Sequence, residues 1–451
     1  MSKQTSMFGA YIDKFFKGVI DRVSERWNDK KVEPTLMFKS MLTEEYSADL
    51  TWNASTLNHS IVAADVVSMD SSLPLKKRGT LRIASGDIAK MGIKYALKEK
   101  EISDINVMRA KGQTTAQIAA KILNNVPRVI KGIDTRIEIL FEEALSTGMV
   151  LVESDTNDGT GVRASFGYEA AHTFHAKVAG WSDATNATPL DDIQQMFDVE
   201  DNGITDVLLS KKYFDYMRKT AQVKELVAND RNQVIVNSSY LPVPPREATL
   251  NALAAEFGAT FHIVNNTFRV EMPDGSQKTV TPWAEANVVG VPSMRVGRLV
   301  YGTLAEDMNR VPGVSYQKSG NYMLSSEYSV NEPSLMEFTA GQALAFPVID
   351  DGDSVFVLHA DGVGPLAVTP DTLSFTAAAG NKSCAVHSDN GYTISQTADT
   401  SWLTVTKTAS GIKCAVTANS GSAATTRTAT VTLTDAVDSS ITKTVTVSQS
   451  A

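Results

Sequence analysis

Ile137-Glu-Ile-Leu-Phe-Glu-Glu-Ala-Leu-Ser-Thr-Gly148 runs straight into Met149-Val-Leu-Val-Glu153. Apolar residues recur at helical spacing in the first piece, and the second is a short apolar run, so a long helix passes directly into a strand. Upstream, Ile130 and Ile133 extend the apolar face formed by Ile137, Leu140, Phe141, Ala144 and Leu145. Pro127 suits the first turn of this helix, and Gly148 is a natural C-terminal cap. Asn124-Asn-Val-Pro127 separates it from an earlier helical stretch that starts near Thr114. After the strand, Asp155-Thr-Asn-Asp-Gly-Thr-Gly161 forms a turn into another strand.

On the N-terminal side, Phe8 to Trp27 carries Phe8, Tyr11, Ile12, Phe15, Phe16, Val19, Ile20, Val23 and Trp27 at helical spacing. Burying that stripe is worth on the order of 10 kcal/mol, at ~1.5–3 kcal/mol per large side chain. It can pack on its own body or on a neighbouring copy; a membrane fits least, because the polar face mixes both charge signs. Glu45 to Asp104 is different. It holds strand-like pieces, Ser60-Ile-Val-Ala and Thr80-Leu-Arg-Ile, around the basic turn Lys76-Lys-Arg-Gly, without the apolar density of a core. So long a hairpin-like excursion needs a surface to rest on.

On the C-terminal side a compact mixed unit follows. Pro189 to Phe197 reads as a helix, Asp206-Val-Leu-Leu-Ser as a strand and Lys211 to Val227 as a helix. Thr249 to Phe257 is a helix that enters the strand pair Thr260–Val264 and Thr267–Met272. Pro273-Asp-Gly-Ser and Thr281-Pro-Trp are turns before the strand Asn287-Val-Val-Gly-Val. Extended pieces at Ser326-Glu-Tyr-Ser-Val and Phe346-Pro-Val-Ile complete this body.

Composition changes near residue 365. From Leu373 to Ala451 the chain is dominated by Thr, Ser, Ala and Val and has almost no helical pattern. Leu403-Thr-Val-Thr, Ile412-Lys-Cys-Ala-Val, Thr428-Ala-Thr-Val-Thr-Leu and Thr442-Lys-Thr-Val-Thr-Val alternate with period two. Asp389-Asn-Gly, Ser410-Gly and Asn419-Ser-Gly separate them. Short alternating strands at this spacing indicate a β-sandwich. Asp361-Gly-Val-Gly-Pro365 through Pro370 reads as the linker.

The 451 residues exceed one ordinary core. A net charge of −9 argues against a protein that wraps nucleic acid, since phosphate binding needs a surface dominated by Lys and Arg. No secretory signal is visible in the polar start, and no apolar run is long enough to span a membrane. Cys384 and Cys414 are the only cysteines and read as free buried thiols.

The order of elements is an N-terminal arm, an extended hairpin, a spine helix, a compact α/β unit and a return through long strands. It resembles the α+β major capsid protein fold of tailed phages and herpesviruses, the HK-ninety-seven type, and within it the lambda-like capsid protein E group. The likeness lies in Ile137–Gly148 and in Asp206-Val-Leu-Leu-Ser-Lys-Lys-Tyr-Phe. It continues in Val291-Pro-Ser-Met-Arg-Val-Gly-Arg-Leu-Val-Tyr-Gly302 and in Ser325-Ser-Glu-Tyr-Ser-Val-Asn-Glu-Pro333 leading to Ala345-Phe-Pro347. It spans roughly residues 35 to 357, with the N-terminal helix as an addition. The C-terminal piece resembles the bacterial immunoglobulin-like module called BACON. Leu373-Ser-Phe375, Ser401-Trp-Leu-Thr-Val405, Arg427 ahead of a Thr/Val strand and Val445-Thr-Val-Ser-Gln449 carry that likeness. The two resemblances imply a partition into residues 1–59 (helix and arm), 60–112 (extended loop), 113–187 (peripheral unit with the spine helix), 188–300 (axial unit), 301–360 (peripheral strands), 361–370 (linker) and 371–451 (immunoglobulin-like domain).

Chemistry is sparse. His172-Thr-Phe-His175 is the only close histidine pair, and on a strand that spacing puts the rings on opposite faces, with no cysteine nearby to complete a zinc site. Asp198-Val-Glu-Asp-Asn-Gly203 lacks the later ligands of a calcium loop, and Asp350-Asp-Gly-Asp353 reads as a turn. No phosphate-binding loop, nucleophile elbow, zincin helix or dinucleotide fingerprint occurs. No catalytic, cofactor-binding or metal-ligating residue is therefore nominated, and the expected role is not enzymatic. Some shells of the resembled fold cross-link a loop lysine to a neighbour's asparagine; Lys76, Lys77 and Lys90 lie in the loop, and nothing selects one of them. BACON modules have been proposed to bind carbohydrate, but here Tyr392 and Trp402 are the only aromatic candidates for stacking on a sugar, and Trp402 also suits a core position.

The resemblance implies copies that self-assemble into hexameric and pentameric capsomers of an icosahedral phage head enclosing double-stranded DNA. Scaffolding, portal and head auxiliary proteins are the implied partners. The chain would reside in the virion after assembly in the host bacterial cytoplasm, with no membrane association and no cofactor. The C-terminal domain would decorate the outside, touching host-surface or mucin glycans or bridging neighbours. The rival expectation is a carbohydrate-binding adhesin working through that domain; a hydrolase with a binding module has no nucleophile or metal site behind it.

Overall fold

The computed structural model describes residues 3–27, 36–57, 81–152, 162–199, 202–231, 241–272, 274–362, 364, 366–388, 391–396, 401–408, 411–419, 425–436, 439 and 441–451. Three large apolar cores organise them, with two small satellite clusters at Val227, Ala248 and Ala252 and at Tyr328, Val330 and Ala340.

The largest core lies between a spine helix, Val126–Thr147, and a sheet built on one 14-residue strand, Met336–Ile349. Over its first part this strand pairs on one side with Met323–Val330 and on the other with Lys90–Leu97. Over its last part it pairs with Gly297–Tyr301, which also takes Leu42–Tyr46 in parallel. The spine helix crosses where the strand has no side chain. A Cβ built on Gly341 would sit 2.1 Å from Val129 Cγ1, and one on Gly132 3.1 Å from Ile93 Cδ1. Gly341→Ala is expected to lower stability by about 2 kcal/mol through overpacking, read as a shift in denaturant midpoint. An unshifted midpoint would show that helix and sheet do not meet here.

Pro127 sits in the first turn of the spine helix, and Gly148 closes it in the left-handed conformation at φ 72°, its N–H donating to Ala144 O at 2.8 Å. The preceding helix, Thr115–Ile122, starts at Thr114, whose hydroxyl accepts from Gln117 N–H. The N-terminal helix, Gly9–Trp27, packs on its own body, with Phe8, Ile12, Phe16, Ile20 and Val23 buried against the spine helix, Thr115–Ile122 and the strand Ser315–Ser319.

The expected excursion is shorter than 60–112. Lys90–Leu97 is a strand of the main sheet, turning Met91 and Ile93 onto the core, and Glu99–Ala110 is a helix with Ile102 and Ile105 buried. What stands apart is a two-stranded hairpin, Thr51–Leu57 with Leu81–Asp87, paired to no other strand among the described residues. Ser60-Ile-Val-Ala, Lys76 and Lys77 lie outside the described residues.

The second core belongs to a five-stranded sheet ordered Thr173–His175, Phe356–His359, Asn287–Val291, Asp206–Ser210, Thr260–Val264. The expected axial interval supplies three of these strands; Thr173–His175 and Phe356–His359 come from beyond it. Two local expectations are corrected. Lys211 to Val227 is not one helix but two, Lys211–Met217 and Ala221–Asp230, because the chain extends at Thr220, whose hydroxyl donates to Met217 O at 2.8 Å. Thr260–Val264 does not pair with its successor: Phe268–Glu271 makes its own hairpin with Gln277–Val280.

The third core lies between two four-stranded sheets at the C-terminus. Leu366–Thr369, expected in the linker, is a strand of one sheet, while Thr372–Phe375 crosses to the other and pairs in parallel with the last strand, Thr442–Gln449. Cys384 and Cys414 are buried and free.

Candidate functional site

Spacing of four along the spine helix aligns Asp134, Glu138, Glu142 and Ser146, and all four are almost fully buried, from 0% to 2% exposed. A stripe of three carboxyl groups inside an apolar core is costly unless each finds partners. Each reaches a different segment. Asp134 accepts from Lys39 Nζ at 2.7 Å and from Tyr322 Oη at 2.9 Å. Glu138 accepts the Met37 and Phe38 backbone N–H groups at 2.6 and 2.9 Å, one on each oxygen. Glu142 accepts from Asn266 Nδ2 at 2.6 Å. Ser146 Oγ accepts the Ala284 N–H at 3.1 Å, and its carbonyl accepts Asn287 Nδ2 at 2.8 Å. One helix face thus fixes the N-terminal arm, the end of a main-sheet strand and the compact unit relative to one another.

Burial holds Glu138 and Glu142 above the usual carboxylate range, and the neighbouring Glu138 helps push Glu142 up to about 9. A group kept neutral by the fold contributes stability that is complete below its ordinary pKa and is lost as pH climbs through the raised one. The thermal midpoint of the unassembled chain should therefore fall between about pH 5 and about pH 9, and Glu142→Gln should flatten that fall. An unchanged slope in Glu142→Gln would remove Glu142 from this role.

The free-standing hairpin is tied at its base. Trp52, 3% exposed, packs against Phe166 and Phe346 with ring centroids 5.5 Å away in each case. Arg298, from the Val291–Gly302 segment, donates to Asn53 O at 2.9 Å and to Asp350 at 2.6 Å, and also pairs with Glu45. Asp350 thus belongs to an ion pair at the hairpin base. Lys90 is exposed on its strand.

The histidine pair is placed differently from expectation. His172 ends a short 3-10 turn, Ala170–His172, and only His175 is on a strand, because the chain does not extend until Thr173. His172 stacks on Phe356 at 4.3 Å and His175 on His359 at 4.8 Å; burial lowers the pKa of both His175 and His359. Among the described residues no group of three or more His, Cys, Asp or Glu is positioned to hold a metal ion. Asp198-Val-Glu-Asp-Asn-Gly203 falls partly outside them. In the C-terminal unit both aromatic candidates are capped by cations. Arg427 lies over Trp402 at 4.7 Å, and Lys407 over Tyr392 at 3.8 Å. Trp402 is buried, at 8% exposed.

The carboxyl stripe escaped the sequence pattern, since charges four apart on a helix ordinarily mark a solvated face. Its signal was the crowding of apolar residues around it: Val129, Ile130, Ile133, Ile137, Leu140 and Phe141 are all buried on the same helix and leave little of it for water.

Residues 20–336 match the family model described as phage major capsid protein E. No curated protein matches the chain. Among solved structures, the chain is similar to a protein described as a prophage capsid protein of Escherichia coli CFT073, with 13% identity, a TM-score of 0.46, and coverage of 76% of this chain and 98% of that one. A phage-related protein from Bordetella bronchiseptica RB50 gives 12%, 0.42, 80% and 99%. The capsid of Myoviridae phage XM1 gives 10%, 0.38, 72% and 91%.

Proposed function

The chain belongs to the phage major capsid protein E family, and from that premise we propose that its copies form hexameric and pentameric rings closing into an icosahedral head around double-stranded DNA. A shell-forming structural role and a place in the virion follow from the family itself; the ring geometry and the enclosed genome are our inference. The observation that carries it is the hairpin Thr51–Leu57/Leu81–Asp87. A lone two-stranded sheet is marginal in water, yet Trp52 and Arg298 hold its base firmly, as a support for contact with an adjacent copy.

In this arrangement the fold is of the HK-ninety-seven type. The spine helix stiffens the wall, the compact unit between residues near 188 and 301 meets its copies at the ring axis, the extended loop is carried on the hairpin Thr51–Leu57/Leu81–Asp87, and the C-terminal unit begins at Leu366. Each contact can be modest, because closure multiplies contacts around every copy. Assembly takes place in the host bacterial cytoplasm, with scaffolding, portal and head auxiliary proteins as partners and no catalytic step. The C-terminal unit is an immunoglobulin-like, BACON-like domain on the outer surface. The chain passes from one sheet to the other at Asp371, so that Leu366–Thr369 pairs antiparallel in one sheet and Thr372–Phe375 pairs in parallel with the last strand of the other, which supports a two-sheet sandwich. Glycan capture is the weaker role for it, since Arg427 and Lys407 occupy the aromatic faces a sugar would stack on.

Sedimentation of the purified full-length chain over a range of concentrations tests the proposal. Ring-sized and larger species growing with concentration support it. A single-copy species throughout, unmoved by a scaffolding protein, overturns it.

A further inference from the structure

Charge is sorted along the chain of the compact unit. Val178 to Ser210 holds seven acidic residues and no Lys, Arg or His, whereas Lys211 to Arg246 holds seven Lys or Arg and three acidic residues. Among the described residues, no ion pair joins the two stretches. Asp191 and Asp198, two turns apart along the exposed side of Pro189–Phe197 and its C-cap, accept instead from the neutral amides of Gln222 and Gln194, each at 2.7 Å. The cations gather elsewhere. Lys211, Arg218 and Arg246 share the single carboxylate of Asp215, at 3.7, 2.7 and 2.7 Å, which leaves a surplus of two positive charges. Sheet order keeps the two sets apart. Pro189–Phe197 packs on Thr173–His175 and Phe356–His359 at one end of the five-stranded sheet. Lys211–Met217 packs on Asp206–Ser210 and Thr260–Val264 at the other end, and Arg246–Phe257 on Thr260–Val264, with Ala221–Asp230 between the flanks. At ~4.8 Å per strand the flanks stand about 14 Å apart, beyond the ~8 Å over which exposed charges act in physiological salt. Within one copy they are screened from each other.

We propose that the two flanks meet between copies: the negative Asp191/Asp198 flank of one compact unit lies against the positive Lys211/Arg246 flank of the next around a ring. The inference rests on the shell-forming reading above and says which edges of the compact unit touch. A second copy is selected as the occupant because one chain carries both halves of the complement, two negative charges on one flank and a surplus of two positive charges on the other. Two different patches that meet head to tail generate a ring when the rotation closes. Complementary charge of this kind fixes partner edge and register more than affinity, so the remaining contacts of the shell supply the strength.

The test uses two full-length chains with one flank reversed in each. Asp191→Lys with Asp198→Lys makes both flanks positive; Lys211→Glu with Arg246→Glu makes both negative. Lys211 and Arg246 open their helices and Asp198 closes its own, so three of the four changes suit the helix dipole, and thermal midpoints check that the fold holds. Under conditions in which the wild-type chain assembles, each variant alone is expected to stay as single copies in sedimentation and negative-stain microscopy. Mixed one to one, the two should alternate, and alternation permits hexameric rings but not pentameric ones. The mixture is therefore expected to give sheets or tubes without closed heads, and a chain carrying all four changes should close heads again. Either variant assembling alone as the wild type does, or a mixture that closes heads, overturns the proposal while leaving the shell reading intact. A mixture of folded chains that gives no rings overturns it equally. If a variant melts early, the wild-type chain decides: ring formation should fall about tenfold between about 0.05 and about 0.5 M salt, and an unchanged or rising yield overturns the proposal. Wild-type chains that stay single in every condition, scaffolding protein included, defeat both readings together.

Discussion

A chain lacking residues 1–27 is expected to lose its cooperative thermal transition. Phe8, Ile12, Phe16, Ile20 and Val23 are all buried, the most exposed of them at 9%, and they cover the spine helix, Thr115–Ile122 and the strand Ser315–Ser319. Their burial is worth on the order of 10 kcal/mol, about as much as the whole net stability of a domain. The deletion also removes the clasp ahead of the helix, where Gln4 and Ser329 exchange two backbone hydrogen bonds of 3.0 and 3.1 Å and Lys3 pairs with Glu306. Circular dichroism on heating, with dye binding to exposed apolar surface, reads the outcome. A sharp transition at the wild-type temperature would mean that the helix is an appendage, available to a neighbouring copy instead of its own body.

Glu138→Ala is expected to destabilise the chain by about 3 kcal/mol, because it leaves the half-buried Met37 and buried Phe38 N–H groups without acceptors, at ~1–3 kcal/mol each. Glu138→Gln keeps one good acceptor and should cost about half as much. The loss should not stay local. Met37 and Phe38 open the turn that delivers Leu42–Tyr46 to its parallel register with Gly297–Tyr301. Amide exchange in Leu42–Tyr46 should therefore quicken in Glu138→Ala before global unfolding. A variant that unfolds at the wild-type denaturant concentration with unchanged exchange would remove Glu138 from its positioning role.

The spine helix, its proline start and its glycine stop were legible because each is a local signal: Ile130 to Leu145 repeat with the helical period, and Gly148 ends the pattern. The compact unit was legible in part. Asp206–Ser210 and Asn287–Val291 are apolar runs buried on both faces, as interior strands are. The break at Thr220 was hidden because no glycine or proline marks it between Lys211 and Val227, and it depends on where Thr220 is buried. Lys90–Leu97 was misassigned because its alternation is diluted by Gly92, and only pairing with Glu337–Leu344, some 250 residues away, makes it a strand of the core sheet. The carboxyl stripe failed for a related reason: whether Asp134, Glu138 and Glu142 face water or core depends on Lys39, Met37, Asn266 and Tyr322, none of which is near them in the chain.

The most direct test of a shell-forming chain is negative-stain electron microscopy of the purified protein, full length and truncated after Val363. Closed shells, tubes or ring-shaped capsomers from both forms are predicted, with the truncated particles lacking surface protrusions. Isolated single copies from both forms at high concentration, with a scaffolding protein present, would contradict the account.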